Sequence, residues 1–378
     1  MARLTLRPIL RRTATLLSAV SLFISALVLV SCTKSGPTES TPPELIKPYP
    51  WVTSSPQVEG LDTALIATAV DSIRAKSYVY SLLVVKNGHL VVERYNGYYT
   101  QYNDFEIRSV SKGFTSALIG IAIREGFIRG VDQKMMEFFP EYDSPNLDPR
   151  KREITIEHLL TMKSGLDYIE SDDHSGIFNE KTNWLREAIN LPQKHNPGER
   201  FNYASVNSNI LAGIIAKAGK MSAREVAKKH LFGPLMIIDR GWDQDPQGYY
   251  LGGTGMYFTP RDLARFGYLY LQGGTDGGRS VVPADWVQRS LQPRAGRNFT
   301  WGTLQDVNYG YQWWTGRSGQ DSLFFAAGFG GQFIIVVPQK NMVIVTTANP
   351  NVDIPRASEQ EDFILSVVTR YILPAVLP

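Results

Sequence analysis

Apolar and polar residues recur with helical spacing in some segments of the chain and in strand-like runs in others. From about Asp62 to Lys76, apolar residues return every three or four positions, which predicts a helix with one buried face. The following stretch, "YVYSLLVVKNGHLVVERYNG", contains two runs rich in β-branched residues around Asn87-Gly88. Because Asn-Gly is the preferred pair for a two-residue hairpin turn, we predict two antiparallel strands here.

A similar pair of strands is predicted far along the chain. Apolar runs at 333–337 and 342–346 flank a turn that contains proline, and a helix is predicted from about Ser358 to Ile372. Strands near both ends with a long helical middle indicate one antiparallel sheet assembled from the two terminal segments. The predicted fold class is α/β, of the α+β type: helices flank the sheet, and about 109–248 inserts as a mostly helical subdomain. A cleft between the two parts is the expected place for a site.

The first 31 residues have the pattern of an export signal. Four arginines and no acidic residue precede an almost uninterrupted apolar run from Leu16 to Val30. Cys32, the only cysteine, follows directly, and "LVSC" resembles the bacterial lipobox, in which the cysteine becomes the lipidated N-terminus. We therefore predict a signal peptide at 1–31 and lipidation at Cys32. A transmembrane anchor is the alternative, because the apolar run is nearly long enough to span a bilayer.

Charge and composition restrict the location and the partners of the mature chain. Residues 32–55 are rich in Pro, Ser and Thr, which predicts a tether to a folded domain at 56–378. Without the four arginines of the signal, 35 of the 39 basic residues remain against 36 acidic ones, so nucleic acid is not an expected partner. We expect an exported lipoprotein, anchored on the periplasmic or outer side of a bacterial cell envelope and folded without disulfides.

Several well-known catalytic motifs are absent from the sequence. It contains no Gly-x-Ser-x-Gly elbow, no His-Glu-x-x-His, no phosphate loop and no dinucleotide fingerprint. The five histidines are scattered and do not have the spacing of metal ligands. We therefore expect no metal site and no histidine-based serine triad.

The stretch "EIRSVSKGFTSALIGIAIREG" places two serines close to Lys112. If a helix begins at Ser109, then Ser109 and Lys112 share a face and their side chains can meet. A serine hydroxyl needs a base to become a nucleophile, and a desolvated lysine can be that base. Ser111 lacks a helical contact spacing to Lys112, so Ser109 is the predicted nucleophile. The alternative is an ordinary helix cap beside a solvated lysine.

Two further stretches supply groups that a site of this kind needs. In "NPGERFNYASVNSNILAGIIAKAGKMS", a helix is predicted from near Asn207, so Tyr203 lies on the preceding loop and could project into a cleft. A buried structural tyrosine is the alternative. In "FFAAGFGGQFIIVVP", three glycines precede an apolar strand, which indicates a bulge or the close approach of another backbone or a ligand, or else a plain tight turn. A backbone N–H there could form an oxyanion hole with the N–H of Ser109.

Together and in this order, the three stretches resemble the motifs of the serine β-lactamase and penicillin-binding-protein superfamily. "SVSK" is similar to the Ser-x-x-Lys motif, Tyr203-Ala204-Ser205 to Tyr-x-Asn, and "GFGG" stands where Lys-Thr-Gly would be. The phrases "TIEHLLTMKSGL", "GGTGMYFTPRDLARFGYLYLQGG" and "NYGYQWW" also match the style of the family. The resemblance covers about residues 60 to 375 and is closest to the class C-like branch, which includes family VIII carboxylesterases, D-aminopeptidases and 6-aminohexanoate-dimer hydrolases.

The resemblance implies a β-lactamase/transpeptidase-like fold and acyl transfer. Ser109 would attack a carbonyl carbon, Lys112 and Tyr203 would share the proton, and water would hydrolyse the acyl-enzyme. Two backbone N–H groups would polarise the carbonyl, those of Ser109 and of either Gly331 or Gln332, with Gly330 in the same turn. No cofactor is implied.

Departures from the family motifs restrict the substrate. Ser205 replaces the asparagine of Tyr-x-Asn, and Gly328 and Phe329 stand in place of the lysine and threonine of Lys-Thr-Gly. Without that lysine, the carboxylate of a β-lactam or a peptide terminus lacks a partner, so neutral esters or amides are expected and efficient β-lactam hydrolysis is not. Tyr168 is a candidate contact to a substrate amide, or else a loop aromatic packed on the surface.

Other functions fit the same residues. A peptidoglycan or D-amino-acid peptidase, or a β-lactamase, would share the mechanism and differ only in its substrate. A catalytically silent protein that binds a peptide or cell-wall fragment is the alternative outside enzymes. In each case we expect a monomer held at the membrane by the lipid on Cys32.

Overall fold

The computed structural model describes residues 47–172 and 174–377. The predicted signal peptide, Cys32 and most of the predicted tether lie outside these residues. Within the described ranges, no helix has both the length and the apolar character needed to cross a membrane. The packed part of the chain begins before residue 56, because Trp51 is buried and Thr53 forms a parallel bridge with Leu90.

Helices and strands alternate along the described chain. The α-helices are α1 (Thr63–Arg74), α2 (Ser111–Arg124), α3 (Ile156–Leu160), α4 (Trp184–Asn190), α5 (Ser205–Gly219), α6 (Ala223–Ala227), α7 (Gly233–Leu235), α8 (Pro260–Leu271), α9 (Ala284–Ser290) and α10 (Ile354–Val367). The strands are β1 (Val79–Lys86), β2 (His89–Tyr95), β3 (Phe105–Glu106), β4 (Gly241–Trp242), β5 (Met256–Phe258), β6 (Thr275–Asp276), β7 (Arg279–Ser280), β8 (Ala295–Trp301), β9 (Leu304–Tyr309), β10 (Trp314–Ser318), β11 (Asp321–Gly328), β12 (Gln332–Val337) and β13 (Met342–Ala348).

The main sheet has eight strands in the order β2-β1-β13-β12-β11-β10-β9-β8. Its neighbours are antiparallel, and β1 from the start of the domain pairs with β13 from its end. The predicted sheet built from the two terminal segments is therefore confirmed. The β1–β2 turn is also as predicted, because Asn87 and Gly88 both have positive φ, 54° and 84°, the conformation that Asn-Gly favours.

Both faces of the sheet are covered, which explains why its central strands are continuous apolar runs. Leu83 and Val85 of β1 lie in the same buried cluster as Phe114 of α2, whereas Leu82 and Val84 lie in a second cluster with Ile66 of α1. Alternate residues of a strand point to opposite faces, so each run fills two cores. Helices α1 and α10 cover one face, and α8 and α2 the other.

The segment between β3 and β5 is mostly helical, as predicted for about 109–248. It contains α2 to α7, and short strands β3, β5 and β4 form a small separate sheet beside it. The predicted starts of α5 and α10 differ from the structure. Helix α5 begins at Ser205, two residues before Asn207, and α10 begins at Ile354 because Asp353 caps it through the N–H of Arg356.

Candidate active site

Ser109 lies in a single 3-10 turn, Arg108–Val110, immediately before α2. The predicted helix start at Ser109 is therefore wrong by two residues, because Arg108 has a left-handed φ of 49° and the α-helix begins only at Ser111. Ile107 and Val110 are fully buried on either side, so the turn is held firmly. Within the described residues the N–H of Ser109 has no acceptor, and Ser109 lines a large cleft.

Lys112 lies in the first turn of α2 and is only 1% exposed. Its Nζ is 2.8 Å from Ser109 Oγ, so the structure brings together the two side chains that the Ser-x-x-Lys spacing pairs. Two more acceptors surround the amine: Ser205 Oγ at 2.9 Å and the carbonyl oxygen of Gly253 at 3.0 Å. No carboxylate in the described part of the chain forms an ion pair with it. The amine is thus buried among neutral acceptors, one of which is the candidate nucleophile.

Tyr203 lies on the loop just before α5, where the sequence predicted it. Its ring faces Lys112, with Nζ 4.8 Å from the ring centroid. Trp314 stacks on the same ring at 5.6 Å between centroids, and Tyr309 makes an edge contact with it at 5.9 Å. Tyr203 also lines the cleft. The loop and the aromatic neighbours therefore hold the tyrosine against the lysine.

Ser205 is the first residue of α5, and it lies between Lys112 and an acid that the sequence did not single out. Its Oγ accepts from Lys112 and donates to Glu170 Oε1, while its N–H donates to Glu170 Oε2 at 2.6 Å. Glu170 comes from a loop 35 residues earlier, which has no periodic pattern that would reveal the contact. Ser205 was predicted to bind substrate, but in the structure its polar atoms are engaged within the site.

The "GFGG" stretch is a tight turn between β11 and β12, and its first glycine also lies close to another backbone segment, so both predicted alternatives are found. The N–H of Gly331 closes the turn onto the carbonyl of Gly328 at 3.2 Å, and the N–H of Gly330 donates to Glu361 Oε1 at 2.9 Å. Gln332 pairs with Gly328 in the ladder, and its side chain bonds both backbone groups of Ala348. These three residues therefore do not supply a free N–H to the cleft.

Phe329 has the free backbone N–H that the sequence assigned to Gly331 or Gln332. Gly328 and Phe329 line the cleft together with Ser109, and no acceptor in the described residues takes the N–H of Phe329. The N–H groups of Ser109 and Phe329 are thus the available pair at this end of the cleft. A pair of this kind can stabilise negative charge on a carbonyl oxygen.

Gly328 is in direct contact with the segment that carries Ser109. A Cβ at this position would lie 2.4 Å from the carbonyl oxygen of Ile107 and 3.1 Å from Arg108 Cβ, so only glycine fits. No lysine stands two residues before any of the three glycines of this stretch, so the lysine of the Lys-Thr-Gly motif is missing.

Replacing Gly328 with alanine should impair turnover more than folding. The added methyl group must push the Ile107–Ser109 segment away from β11, and a displacement of about 1 Å at reacting groups can cost about 100-fold in rate. The measurement is kcat of the purified variant, with Gly176→Ala as the control, since a Cβ there meets nothing within 4 Å. Equal kcat for wild type and Gly328→Ala would contradict this packing.

The cleft has a volume of about 1180 Å³ and is lined by both the sheet and the helical subdomain, as predicted. One wall is aromatic, formed by Phe299, Trp301 and Trp314. Four carboxylates also line it: Glu170, Asp172, Glu361 and Asp362. The one arginine among its lining residues, Arg108, is already paired with Glu106 at 3.1 Å. The cleft therefore offers an apolar surface with an excess of negative charge.

Tyr168 lies at the edge of this cleft. Its ring stacks on His174 with centroids 4.0 Å apart, and its carbonyl accepts from Asn202 Nδ2 at 2.8 Å. Burial raises the pKa of its phenol. The residue is thus half-buried and fixed, in a position that permits the contact to substrate that the sequence suggested.

Glu361 of α10 is a second cleft residue that the sequence did not indicate. Burial raises the pKa of its carboxyl to about 7, and the nearby charge of Asp362 adds to this, although hydrogen bonds from Gly330 and Trp301 oppose the shift. Between the ordinary value of 4.5 and about 7, the folded chain keeps a proton that the unfolded chain releases. Stability from this group is therefore present at low pH and lost as the pH rises through that range.

The variant Glu361→Gln isolates this effect because an amide does not titrate, while its oxygen can still accept from Gly330. We expect the free energy of unfolding of the variant, relative to wild type, to rise by about 1 to 3 kcal/mol between pH 4.5 and pH 8. Denaturant titrations of both proteins across this range give the difference. Parallel curves at all pH values would show that Glu361 titrates normally.

The fold and the residues of the cleft together indicate the class of protein to which the chain belongs. An antiparallel sheet, an inserted helical subdomain and a Ser/Lys pair at the start of a buried helix are typical of β-lactamase- and transpeptidase-like serine hydrolases. The Beta-lactamase family model matches residues 66–369. The chain therefore belongs to the β-lactamase family, and the match includes Ser109, Lys112 and Tyr203.

Individual relatives are distant. The chain is 25% identical over 281 residues to a 6-aminohexanoate-dimer hydrolase from Paenarthrobacter ureafaciens, covering 70% of this chain and 71% of the relative. The octameric penicillin-binding protein homologue from Pyrococcus abyssi has a TM-score of 0.63 at 20% identity, covering 83% of this chain and 78% of that one. EstCE1, a hydrolase with promiscuous acyltransferase activity, has a TM-score of 0.67 at 16% identity, with coverage of 81% and 99%. The two structures share the fold.

Proposed function

We propose that this protein hydrolyses small esters or amides through an acyl-enzyme on Ser109. The observation that carries the proposal is the 2.8 Å contact between Ser109 Oγ and the buried amine of Lys112. As Ser109 Oγ bonds to the carbonyl carbon, its proton passes to Lys112, and the amine returns a proton to the leaving group. Tyr203, with its ring against the amine, shares in this transfer.

Charge on the carbonyl oxygen is stabilised by backbone groups in this scheme. The N–H groups of Ser109 and Phe329 are the two that lack an acceptor in the described chain and lie beside the nucleophile. A water molecule then attacks the acyl carbon, and the same amine takes its proton. The bond between Ser109 Oγ and the acyl carbon breaks, the acid is released, and the amine returns the proton to Ser109 Oγ. No residue outside this cluster is needed for either half of the reaction.

The lining of the cleft favours a neutral or amine-bearing substrate. Three lining carboxylates, Glu170, Asp172 and Asp362, repel a substrate carboxylate. Glu361 adds less negative charge because burial raises its pKa to about 7. Arg108 is already paired with Glu106 and is therefore a poor partner for a substrate carboxylate. The motif lysine that would bind a β-lactam carboxylate is also missing. Phe299, Trp301 and Trp314 provide an apolar surface for an acyl chain. The names of two relatives, a 6-aminohexanoate-dimer hydrolase and a hydrolase with acyltransferase activity, support a linear amide or ester.

Turnover of p-nitrophenyl butyrate beside a β-lactam tests the proposal. Wild type should hydrolyse the ester, Ser109→Ala should lose about 10³-fold or more in kcat, and β-lactam hydrolysis should be far slower than ester hydrolysis. Ser111→Ala is the matched control, because its hydroxyl is buried and has no hydrogen-bond partner in the described chain. Ester turnover that survives in Ser109→Ala would refute the nucleophile, and β-lactam turnover faster than ester turnover would refute the substrate class.

The same assay addresses the silent binding alternative. A protein that only holds a peptide or cell-wall fragment would show no turnover by wild type on any ester. The buried amine and the nucleophile at hydrogen-bond distance argue for an active enzyme, because a binding protein has no need of either.

We also propose that lipid on Cys32 holds the enzyme at the membrane, on the exported side of the envelope. The support is the sequence around Cys32, where an arginine-rich start and an apolar run end in Leu29-Val30-Ser31-Cys32. Cys32→Ala should move the protein from the membrane fraction to the soluble fraction. Retention of the variant as an integral protein would favour a transmembrane anchor.

A further inference from the structure

The hydrogen-bond directions around Lys112 are decided by residues beyond the catalytic pair. As an ammonium, Lys112 has three N–H donors and three acceptors: Ser109 Oγ, Ser205 Oγ and the carbonyl of Gly253. As a neutral amine it has two N–H donors and one lone pair. A base must be in this second form, and its lone pair must face the proton that it removes.

Two of the three neighbours could donate to that lone pair. The carbonyl of Gly253 can only accept, so one N–H of the neutral amine always points there. The hydroxyls of Ser109 and Ser205 can each accept or donate. If Ser205 donated, the lone pair would be occupied and Ser109 could not transfer its proton.

Glu170 removes this ambiguity. Its carboxylate accepts the Ser205 N–H on Oε2 at 2.6 Å and the Ser205 hydroxyl on Oε1. An ionised carboxylate has no hydrogen to give, so the Ser205 proton must point toward Glu170. Ser205 Oγ then presents only lone pairs to Lys112. Both N–H groups of the neutral amine are taken by Gly253 and Ser205, and its lone pair is left for Ser109.

We propose that Glu170 is a positioning residue that fixes the Ser205 hydroxyl as an acceptor and thereby aims the lone pair of Lys112 at Ser109. The inference rests on the proposed function. It also gives a reason for the departure at position 205. The family motif has asparagine there, whose carbonyl oxygen can only accept, whereas serine needs a partner such as Glu170 to act in the same way.

A purely structural role for Glu170 is the competing explanation. The N-cap residue of α5 is Ala204, which has no capping side chain, so Glu170 also caps α5 through the N–H of Ser205. A cap affects stability whatever side chain stands at position 205. The orienting role, in contrast, exists only when position 205 carries a hydroxyl.

Glu170→Gln separates these roles. The backbone N–H of Ser205 has a fixed direction, so the new amide oxygen must accept from it. The amide NH₂ then faces Ser205 Oγ and donates to it, which turns the hydroxyl proton toward Lys112. We expect kcat/KM for p-nitrophenyl butyrate and the rate of fluorophosphonate labelling to fall by about 10- to 100-fold. Glu180→Gln, which changes an exposed acid of the same loop, is the matched control and should retain wild-type rates.

The decisive measurement repeats Glu170→Gln in a Ser205→Asn background. Asparagine supplies an accepting oxygen by itself, so the loss from Glu170→Gln should shrink to less than about threefold. Ser205→Ala, which has no hydroxyl to orient, gives a second background in which the loss should also disappear. The thermal midpoint of each variant records the capping role separately, and that change should be similar in all three backgrounds.

Several outcomes would overturn the inference. Equal losses in the serine, asparagine and alanine backgrounds would assign Glu170 to capping alone. Wild-type rates for Glu170→Gln would remove any role in orienting the amine. Both results differ from failure of the proposed function itself, which would appear as retained turnover in Ser109→Ala.

Discussion

Lys112→Met should lower kcat/KM for an ester by about 10³- to 10⁴-fold while the protein stays folded. Methionine keeps the apolar stem of lysine but provides neither an N–H nor a basic lone pair, so Ser109 loses the group that accepts its proton. Lys112 is 1% exposed and has no carboxylate partner within the described residues. Removing its amine leaves no unpaired charge, but the carbonyl of Gly253 loses its donor, so the free energy of unfolding should fall by no more than about 1 to 3 kcal/mol.

A second buried lysine provides the control for this substitution. Lys151 is 4% exposed and is not among the residues that line the cleft. Lys151→Met removes the same chemical group from a similarly buried position. It should leave kcat/KM within about twofold of wild type. A Lys112→Met enzyme that keeps even a tenth of wild-type turnover would exclude the lysine as the base.

Phe114→Ala should lower the free energy of unfolding by about 3 to 5 kcal/mol. Phe114 lies on α2, two residues after Lys112, and is fully buried. Its ring stacks on Phe266 at 3.8 Å and on Phe258 at 4.7 Å between centroids. Truncation leaves a cavity beneath the helix that carries Lys112, and the surrounding aromatic rings cannot close it fully.

Urea or guanidinium titration measures this loss, with Tyr98→Ala as the control. Tyr98 is fully exposed, so its truncation should change stability by less than about 0.5 kcal/mol. A loss below about 1 kcal/mol for Phe114→Ala would contradict the packing of α2 against α8 and β5.

The terminal strands were predictable because their signals are local. The Asn-Gly turn and the apolar runs of β1, β2, β12 and β13 can each be recognised from a few neighbouring residues. The strands β8 to β11 were missed. "AGRNFTW" and "WTGRS" mix glycine and charged residues with aromatics, so they show no alternation of apolar and polar positions. Their place in the sheet is set by pairing with neighbours.

The candidate site likewise contains some residues that local sequence predicted and some that it did not. Ser109 and Lys112 are close in sequence, so their spacing showed that the two side chains could meet. Their catalytic role, and that of Tyr203, was predicted only from the resemblance of three motifs, in order, to a known family. The contact between Gly328 and Ile107 was not predicted, because it joins two segments that are far apart in the sequence. Glu170 was missed because its contact with Ser205 joins a loop to a helix across 35 residues. Contacts of this kind have no pattern in one sequence.

The acyl-enzyme on Ser109 is tested most directly by intact-mass analysis after exposure to a fluorophosphonate, followed by peptide mapping of the adduct. Wild type and Ser111→Ala should each gain one phosphonyl group, located on Ser109, and Ser109→Ala should gain none. An adduct on Ser109→Ala, or no adduct on a wild-type protein that turns over ester, would contradict the account.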